Sequence, residues 1–172
     1  MEVFVESIKD IGGVTGTVLE FATEAHIGQK RKYTDEDYIT HPIAVAKLVH
    51  ERYEDNNMTC AAFLHDVLED TAVTHSELRT FLHKTFSVES AEDVLSLVVE
   101  LTDVFTKEAF PHYNRKQRKD LEALRLAYAS LRAKQIKKAD IKHNSESILD
   151  HDPKFAKVFL AEKDHLMSYM FN

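Results

Sequence analysis

An all-α fold is the prediction, and three observations carry it. Only four glycines and three prolines punctuate the 172 residues. Between them run long stretches whose apolar residues recur every three to four positions, the period of a helix face. Alternation of apolar and polar residues, the mark of a half-buried strand, is short and uncapped wherever it occurs.

The elements follow in order. A first helix is expected from Thr17 to about Gln29, with Val18, Phe21, Ala22 and Ala25 on one face. Pro42 suits the first turn of the second, "HPIAVAKLVHERY", where its missing N–H is not needed. The third contains "MTCAAFLHDVLED". "THSE" at Thr74 to Glu77 has the form of a capping box and opens the fourth, "ELRTFLHKTF". A fifth runs from about Glu89 to Leu101. Thr102 to Arg118 reads as loop and then as a basic run. "RKDLEALRLAYAS" is the sixth helix and "SLRAKQIKKADIKHNSESIL" the seventh. Asp152–Pro153 caps the last, whose stripe Phe155, Val158, Phe159, Leu166 and Met170 belongs to the core or to an oligomer contact. The length, with no repeat or linker, suggests one domain over residues 1–172.

Composition bounds the function. The formal net charge of −7 argues against a nucleic-acid surface but leaves room for a small anionic substrate at a local positive cluster. Cys60 is the only cysteine, so neither an intramolecular disulfide nor a thiolate cluster can form. It fits a reducing, cytoplasmic setting, and its neighbours make it a core filler. "MEVFVESIKD" lacks the layout of a signal peptide, and no apolar run approaches the ~20 residues that span a bilayer. Monomer and homo-oligomer stay open.

Chemistry concentrates in "AAFLHDVLEDT", Ala61 to Thr71. His65, Asp66, Glu69 and Asp70 crowd behind an apolar run. Residues four apart share a helix face, so three carboxylates gather beside one imidazole. Acids at a helix end are usually solvated, but a divalent cation would also relieve the repulsion. Partners stand elsewhere. "YITHP" places His41 at the start of a helix. "KKADIKHN" places Asp140 on a face shared with Ile136, His143, Asn144 and Ser147. The set His41, His65, Asp66 and Asp140 mixes imidazole and carboxylate donors, which suits Mn²⁺, Fe²⁺ or Zn²⁺ better than Ca²⁺. Such an ion lowers the pKa of a bound water towards neutrality. Glu69 and Asp70, beside that water, could orient it and move protons as general base and then acid.

The pattern H…HD…D resembles the HD metal-dependent phosphohydrolase superfamily. "AHIGQKRKYTDEDYITHPIAVAKLV", "AAFLHDVLEDT" and "IKKADIKHN" resemble the hydrolase domain of RelA/SpoT-type alarmone enzymes, from about Phe21 to Ile148. The resemblance implies an all-α HD-domain helical bundle with its metal site in a central cleft. It implies Mn²⁺, or another divalent metal, on His41, His65, Asp66 and Asp140, with Glu69 and Asp70 catalytic. Arg31 and Lys32 would contact the nucleotide, the Arg packing on the base, and Asn144 and Ser147 would contact sugar and base. The implied reaction removes the 3′-pyrophosphate of guanosine tetra- or pentaphosphate, giving GDP or GTP, with adenosine analogues a variant. The chain departs from the family at "YTDED", Ile141, Lys142 and Glu146, which border the nucleotide site and leave base identity open. The long members' synthetase and regulatory domains are missing, so a stand-alone small alarmone hydrolase is expected.

Further cations are candidates for a substrate with two pyrophosphates. Arg115 and Arg118, with Lys116 and Lys119, form either a solvated face or phosphate contacts, and Lys107 is a weaker candidate. Lys137, Lys138 and Lys142 flank the Asp140 face, one of them in position to reach the 5′-phosphates. His26 either lines the site or, the favoured reading, makes a structural hydrogen bond, and His143 is assigned a bond to a ligand residue or the backbone. Two readings compete with the alarmone hydrolase. One is another HD phosphohydrolase, such as a nucleotidase or cyclic-nucleotide phosphodiesterase, which a substrate panel would reveal. The other is a non-catalytic binding module, against which stands the presence of all six candidate ligands and acids.

Overall fold

The computed structural model describes residues 13–171. The N-terminal stretch assessed above for a signal peptide lies outside the described residues. Among the described residues nine helices follow one another: α1 (Val14–Ala25), α2 (Thr40–Tyr53), α3 (Asn56–Leu64), α4 (Val67–Asp70), α5 (His75–Thr85), α6 (Val88–Leu101), α7 (Arg115–Ala127), α8 (Leu131–His151) and α9 (Pro153–Phe171). Extended pairing is confined, among the described residues, to one isolated bridge between Lys30 and Asp37. No described helix is long and apolar enough to cross a membrane.

Short-range chemistry sets the helix ends. Thr74 accepts from the Glu77 N–H while the Glu77 carboxylate accepts from the Thr74 N–H, the expected capping box. A second such box, Asn114 with Gln117, starts α7 three residues earlier than the sequence predicts. Asp152 ends α8 and accepts from the Phe155 N–H to begin α9. The first helix spans Val14–Ala25 rather than Thr17–Gln29. It stops ahead of Gly28, which takes φ +79, a conformation that side-chain-bearing residues rarely adopt.

The helix predicted across Met58 to Asp70 is two helices. α3 ends at Leu64, and the single turn α4 begins at Val67. His65 supplies the physical reason. Its Nδ1–H donates to the Ala62 carbonyl at 2.7 Å, the group that Asp66 N–H would bond if the helix ran on. The imidazole thereby caps the end it belongs to and turns His65 and Asp66 out of the helical rows.

α3 is the centre of the fold. All residues from Met58 to Leu64 are buried, as expected of a helix apolar on every side. It packs against α1, α2, α6 and α8. Cys60 lies in this core, and burial pushes its thiol up to about 12. A smaller cluster, Ala123, Leu126, Ile141, Leu166 and Met170, joins α7 and α8 to α9. The stripe of the last helix is thus only partly core: Leu166 and Met170 are buried, but Val158 is 51 % exposed. The buried Glu122 accepts from the N–H groups of Val104 and Phe105 and fixes the loop after α6.

Candidate active site

Four side chains from three segments meet at the end of α3. His41 opens α2, His65 and Asp66 form the α3–α4 turn, and Asp140 lies in the middle of α8. His65 Nε2 stands 3.0 Å from Asp66 Oδ2 and 3.9 Å from Asp140 Oδ1. His41 Nε2 stands 3.5 Å from Asp66 Oδ2 and 3.2 Å from Asp140 Oδ1. One donor atom each of His41, His65 and Asp66 lies within 4.8 Å of the others. Neighbouring ligands of an octahedral ion bonded at about 2.1–2.3 Å stand roughly 3 Å apart, so this spacing suits one shared cation.

The protonation pattern makes the same demand. His65 spends its Nδ1–H on Ala62, which leaves Nε2 as a lone pair turned towards two carboxylates. That nitrogen is buried and stands in ion-pair range of Asp66 Oδ2 without a well-aligned hydrogen bond. Burial opposes a proton there, but Asp66 and Asp140 outweigh it and push the imidazole up to about 9. The pocket calls for a positive charge, which a proton or a metal ion can supply. The donor set fits a divalent transition ion.

Each of these four groups has a further polar partner. His41 Nδ1 lies 2.8 Å from His143 Nδ1, so a single proton serves the two rings. Burial lowers both imidazoles, His143 to about 4. Asp140 takes the Lys137 ammonium at 3.1 Å on Oδ2 and the Asn144 amide at 2.6 Å on Oδ1. Asp66 Oδ2 accepts from the Tyr38 hydroxyl at 2.7 Å.

Glu69 and Asp70 project from the single turn α4 at the rim. Glu69 Oε1 accepts from the Asp103 N–H at 2.5 Å. Burial, only partly offset by Lys137, pushes its carboxyl up to about 7. Asp70 is also raised, first by burial and then by Asp66, and it accepts from Tyr38 at 3.0 Å.

The predicted nucleotide contacts divide into two groups. The Lys30–Asp37 bridge, with a hydrogen bond from Arg31 N–H to Glu36 O, folds the α1–α2 connection into a short hairpin. That hairpin turns Arg31 onto Asn144 Oδ1 at 3.2 Å, one bond away from Asp140. Ser147 is half-buried one turn further along α8, and its carbonyl accepts from His151. Lys32 lies 5.7 Å from the Phe155 ring and Arg115 6.0 Å from the same ring, while Arg115 also forks onto Glu162. Two candidates go elsewhere. Lys142 is two residues past Asp140, about 200° around the helix. It lines a groove of about 720 Å³ with Leu48, Tyr53, Gln135 and Met167. Arg118 donates to the Tyr113 carbonyl.

Residues 18–165 match the HD domain family. The chain belongs to the HD domain family. A guanosine-3′,5′-bis(diphosphate) 3′-pyrophosphohydrolase of Haemophilus influenzae is 32 % identical over 131 residues, 74 % of this chain and 17 % of that protein. The pyrophosphohydrolase MESH1 of Xenopus tropicalis is 35 % identical over 127 residues, 72 % of this chain and 63 % of that one. The chain spans about a sixth of the long bacterial relatives it matches. Among solved structures, a metazoan ortholog of SpoT that hydrolyzes ppGpp superposes with a TM-score of 0.76. The match covers 92 % of this chain and 86 % of that one at 24 % identity, a likeness of fold.

Sequence reasoning missed two residues of this HD domain. Tyr38 went unnamed, although it precedes His41 by three, and the His41 N–H bonds its carbonyl at 2.9 Å. Lys137 is one of three lysines that flank the Asp140 face, among which the sequence does not single it out. It is buried and turned onto Asp140, and the signal was the three-residue spacing between them.

Proposed function

We propose that this protein is a Mn²⁺-dependent hydrolase that removes the 3′-pyrophosphate of guanosine polyphosphates. The observation that carries this reading is the convergence of the buried Nε2 atoms of His65 and His41 on Asp66 and Asp140. The names borne by the similar proteins supply the substrate class. His41, His65, Asp66 and Asp140 would hold the ion. When bound, the divalent cation supplies Lewis acidity towards phosphoryl oxygens and water.

The chain's own groups account for the proton and the substrate. Glu69, whose carboxyl burial pushes up to about 7, takes a proton from the attacking water. The water oxygen bonds to the phosphorus attached to O3′, the P–O3′ bond breaks, and the same proton passes to O3′. Asp70, fixed by Tyr38, orients the water. Arg31, held by Asn144, presents its guanidinium plane to the base. Lys32 and Arg115, both within about 6 Å of the Phe155 ring, attract the phosphates. One domain suffices for all of this, and a cytoplasmic nucleotide is its substrate.

Product analysis tests the reading. Metal-stripped protein given guanosine tetraphosphate and Mn²⁺ should release pyrophosphate and GDP, and EDTA should stop it. Adenosine polyphosphates in the same panel report base choice. Orthophosphate as the product, or cleavage of a cyclic nucleotide instead, would put another phosphohydrolase activity in its place.

A further inference from the structure

We infer that Tyr38 is a positioning residue: its hydroxyl sets the Asp66 carboxylate for the cation and couples that carboxylate to Asp70. The inference rests on the reading above, in which Asp66 is a ligand and Asp70 orients the water.

Tyr38 has little freedom to move. Its N–H donates to Gln29 O at 3.0 Å, and its carbonyl accepts from the His41 N–H at 2.9 Å. Its ring lies 4.8 Å from the His26 ring and edge-on to His41 at 6.0 Å. The Arg31 guanidinium sits 5.8 Å from the ring centroid. His26 is itself buried and tied to Gln29 at 2.8 Å, and Gln29 donates to the Asp70 carbonyl at 2.5 Å. Tyr38 therefore touches the nucleotide side, the ligand side and the rim at once.

The hydroxyl meets two acceptors, Asp66 Oδ2 at 2.7 Å and Asp70 Oδ2 at 3.0 Å. A phenol carries one proton, so the two carboxylates compete for it. Asp66 Oδ2 also stands 3.0 Å from His65 Nε2 and 3.5 Å from His41 Nε2, so it faces the proposed cation position. With a cation held by Asp66, that oxygen would be a weaker acceptor, and the Tyr38 hydroxyl would favour Asp70 Oδ2, its other acceptor at 3.0 Å. Tyr38 would thereby link the ligand carboxylate to the residue proposed to orient water.

The test compares Tyr38→Phe with Tyr53→Phe. Tyr53 donates to Gln135 at 2.5 Å in the groove behind α8, so its variant loses a phenol hydroxyl outside the site. Mn²⁺ alone is titrated calorimetrically into each metal-stripped protein, and pyrophosphate release from guanosine tetraphosphate is measured under saturating Mn²⁺. Tyr38→Phe should bind Mn²⁺ about tenfold more weakly or worse, as expected for loss of a group behind a ligand. Its kcat should fall by a similar factor with KM within twofold, and Tyr53→Phe should match the unsubstituted protein in both. Equal Mn²⁺ affinity and kcat in the two variants overturns the inference and leaves the proposed function standing. A Tyr38→Phe protein without helical circular dichroism in EDTA also overturns it, because the residue then serves the fold. Failure of the unsubstituted protein to bind Mn²⁺ overturns the proposed function, and this inference with it.

Discussion

Replacing Lys137 by methionine keeps most of the side-chain volume and deletes a charge from the interior. Lys137 Nζ lies 3.1 Å from Asp140 Oδ2, with the two side chains only 11 % and 7 % exposed. Burial disfavours the ammonium, but Asp140, Asp103, Glu69 and Asp66 outweigh it, and the lysine stays charged far above neutral pH. Removing one member of such a pair strands the other and costs about 3–5 kcal/mol. For 172 residues, at about 2.1 cal/mol/K of unfolding entropy each, the melting temperature should fall by about 8–14 °C. If Asp140 holds Mn²⁺ as proposed, the ion would supply positive charge to that carboxylate, and the deficit should shrink when the metal is present. Adding Asp140→Asn to Lys137→Met removes both charges and should recover more than half of the loss in EDTA. Thermal melts followed by circular dichroism, with EDTA and then with Mn²⁺, read all three quantities. A single variant that melts within 2 °C (~0.7 kcal/mol) of the unsubstituted protein in EDTA would refute the reasoning.

Three further outcomes are expected. With Glu69 near 7 and acting as base, kcat/KM should climb as pH rises from about 6 to 8, and Glu69→Gln should lose both that limb and at least about 100-fold in rate; a variant that keeps the limb assigns it to another group. Arg31→Ala should raise KM for guanosine tetraphosphate about tenfold or more by removing a charged hydrogen-bonding group, while Lys142→Ala, on the far face of α8, should leave KM within twofold; the reverse order would mean that the nucleotide lies elsewhere. In EDTA, His65 holds its proton more tightly folded than unfolded, because Asp66 and Asp140 overcome the opposing effect of burial. Its stabilisation, about 3 kcal/mol, is full below pH ~6.5 and is lost as pH rises through about 9. Glu69, raised by burial, works in the same direction from about pH 4.5 to 7. The metal-stripped protein should therefore melt lower at pH 9 than at pH 6.5, and Mn²⁺, taking the proton's place, should flatten the slope; a pH-independent melt in EDTA contradicts the charge balance drawn for the pocket.

Much of this was legible from residue types alone. Low Gly and Pro content and helical periodicity gave the all-α class. "THSE" announced a capping box because its two hydrogen bonds need only local geometry. The convergence of His41, His65, Asp66 and Asp140 was legible because few residue types can share a cation, and the four side chains do meet in space. The break after Leu64 was not legible. Periodicity runs unbroken through "AAFLHDVLED", and what ends the helix is one side chain bonding its own turn. Lys137, Lys138 and Lys142 look alike in sequence, yet rotation around α8 sends Lys137 inward and Lys142 to another groove. Tyr38 stayed hidden because its partners, Asp66 and Asp70, come 28 and 32 residues later in the chain.

The central claim is that one divalent cation is shared by His41, His65, Asp66 and Asp140. Anomalous diffraction at the manganese edge, from crystals grown with Mn²⁺, tests it most directly. The account predicts a single strong peak within about 2.0–2.4 Å of both imidazole Nε2 atoms and of one oxygen from each aspartate. A hydrolytically active crystal with no peak there, or with its manganese bound away from His65 Nε2, would contradict it.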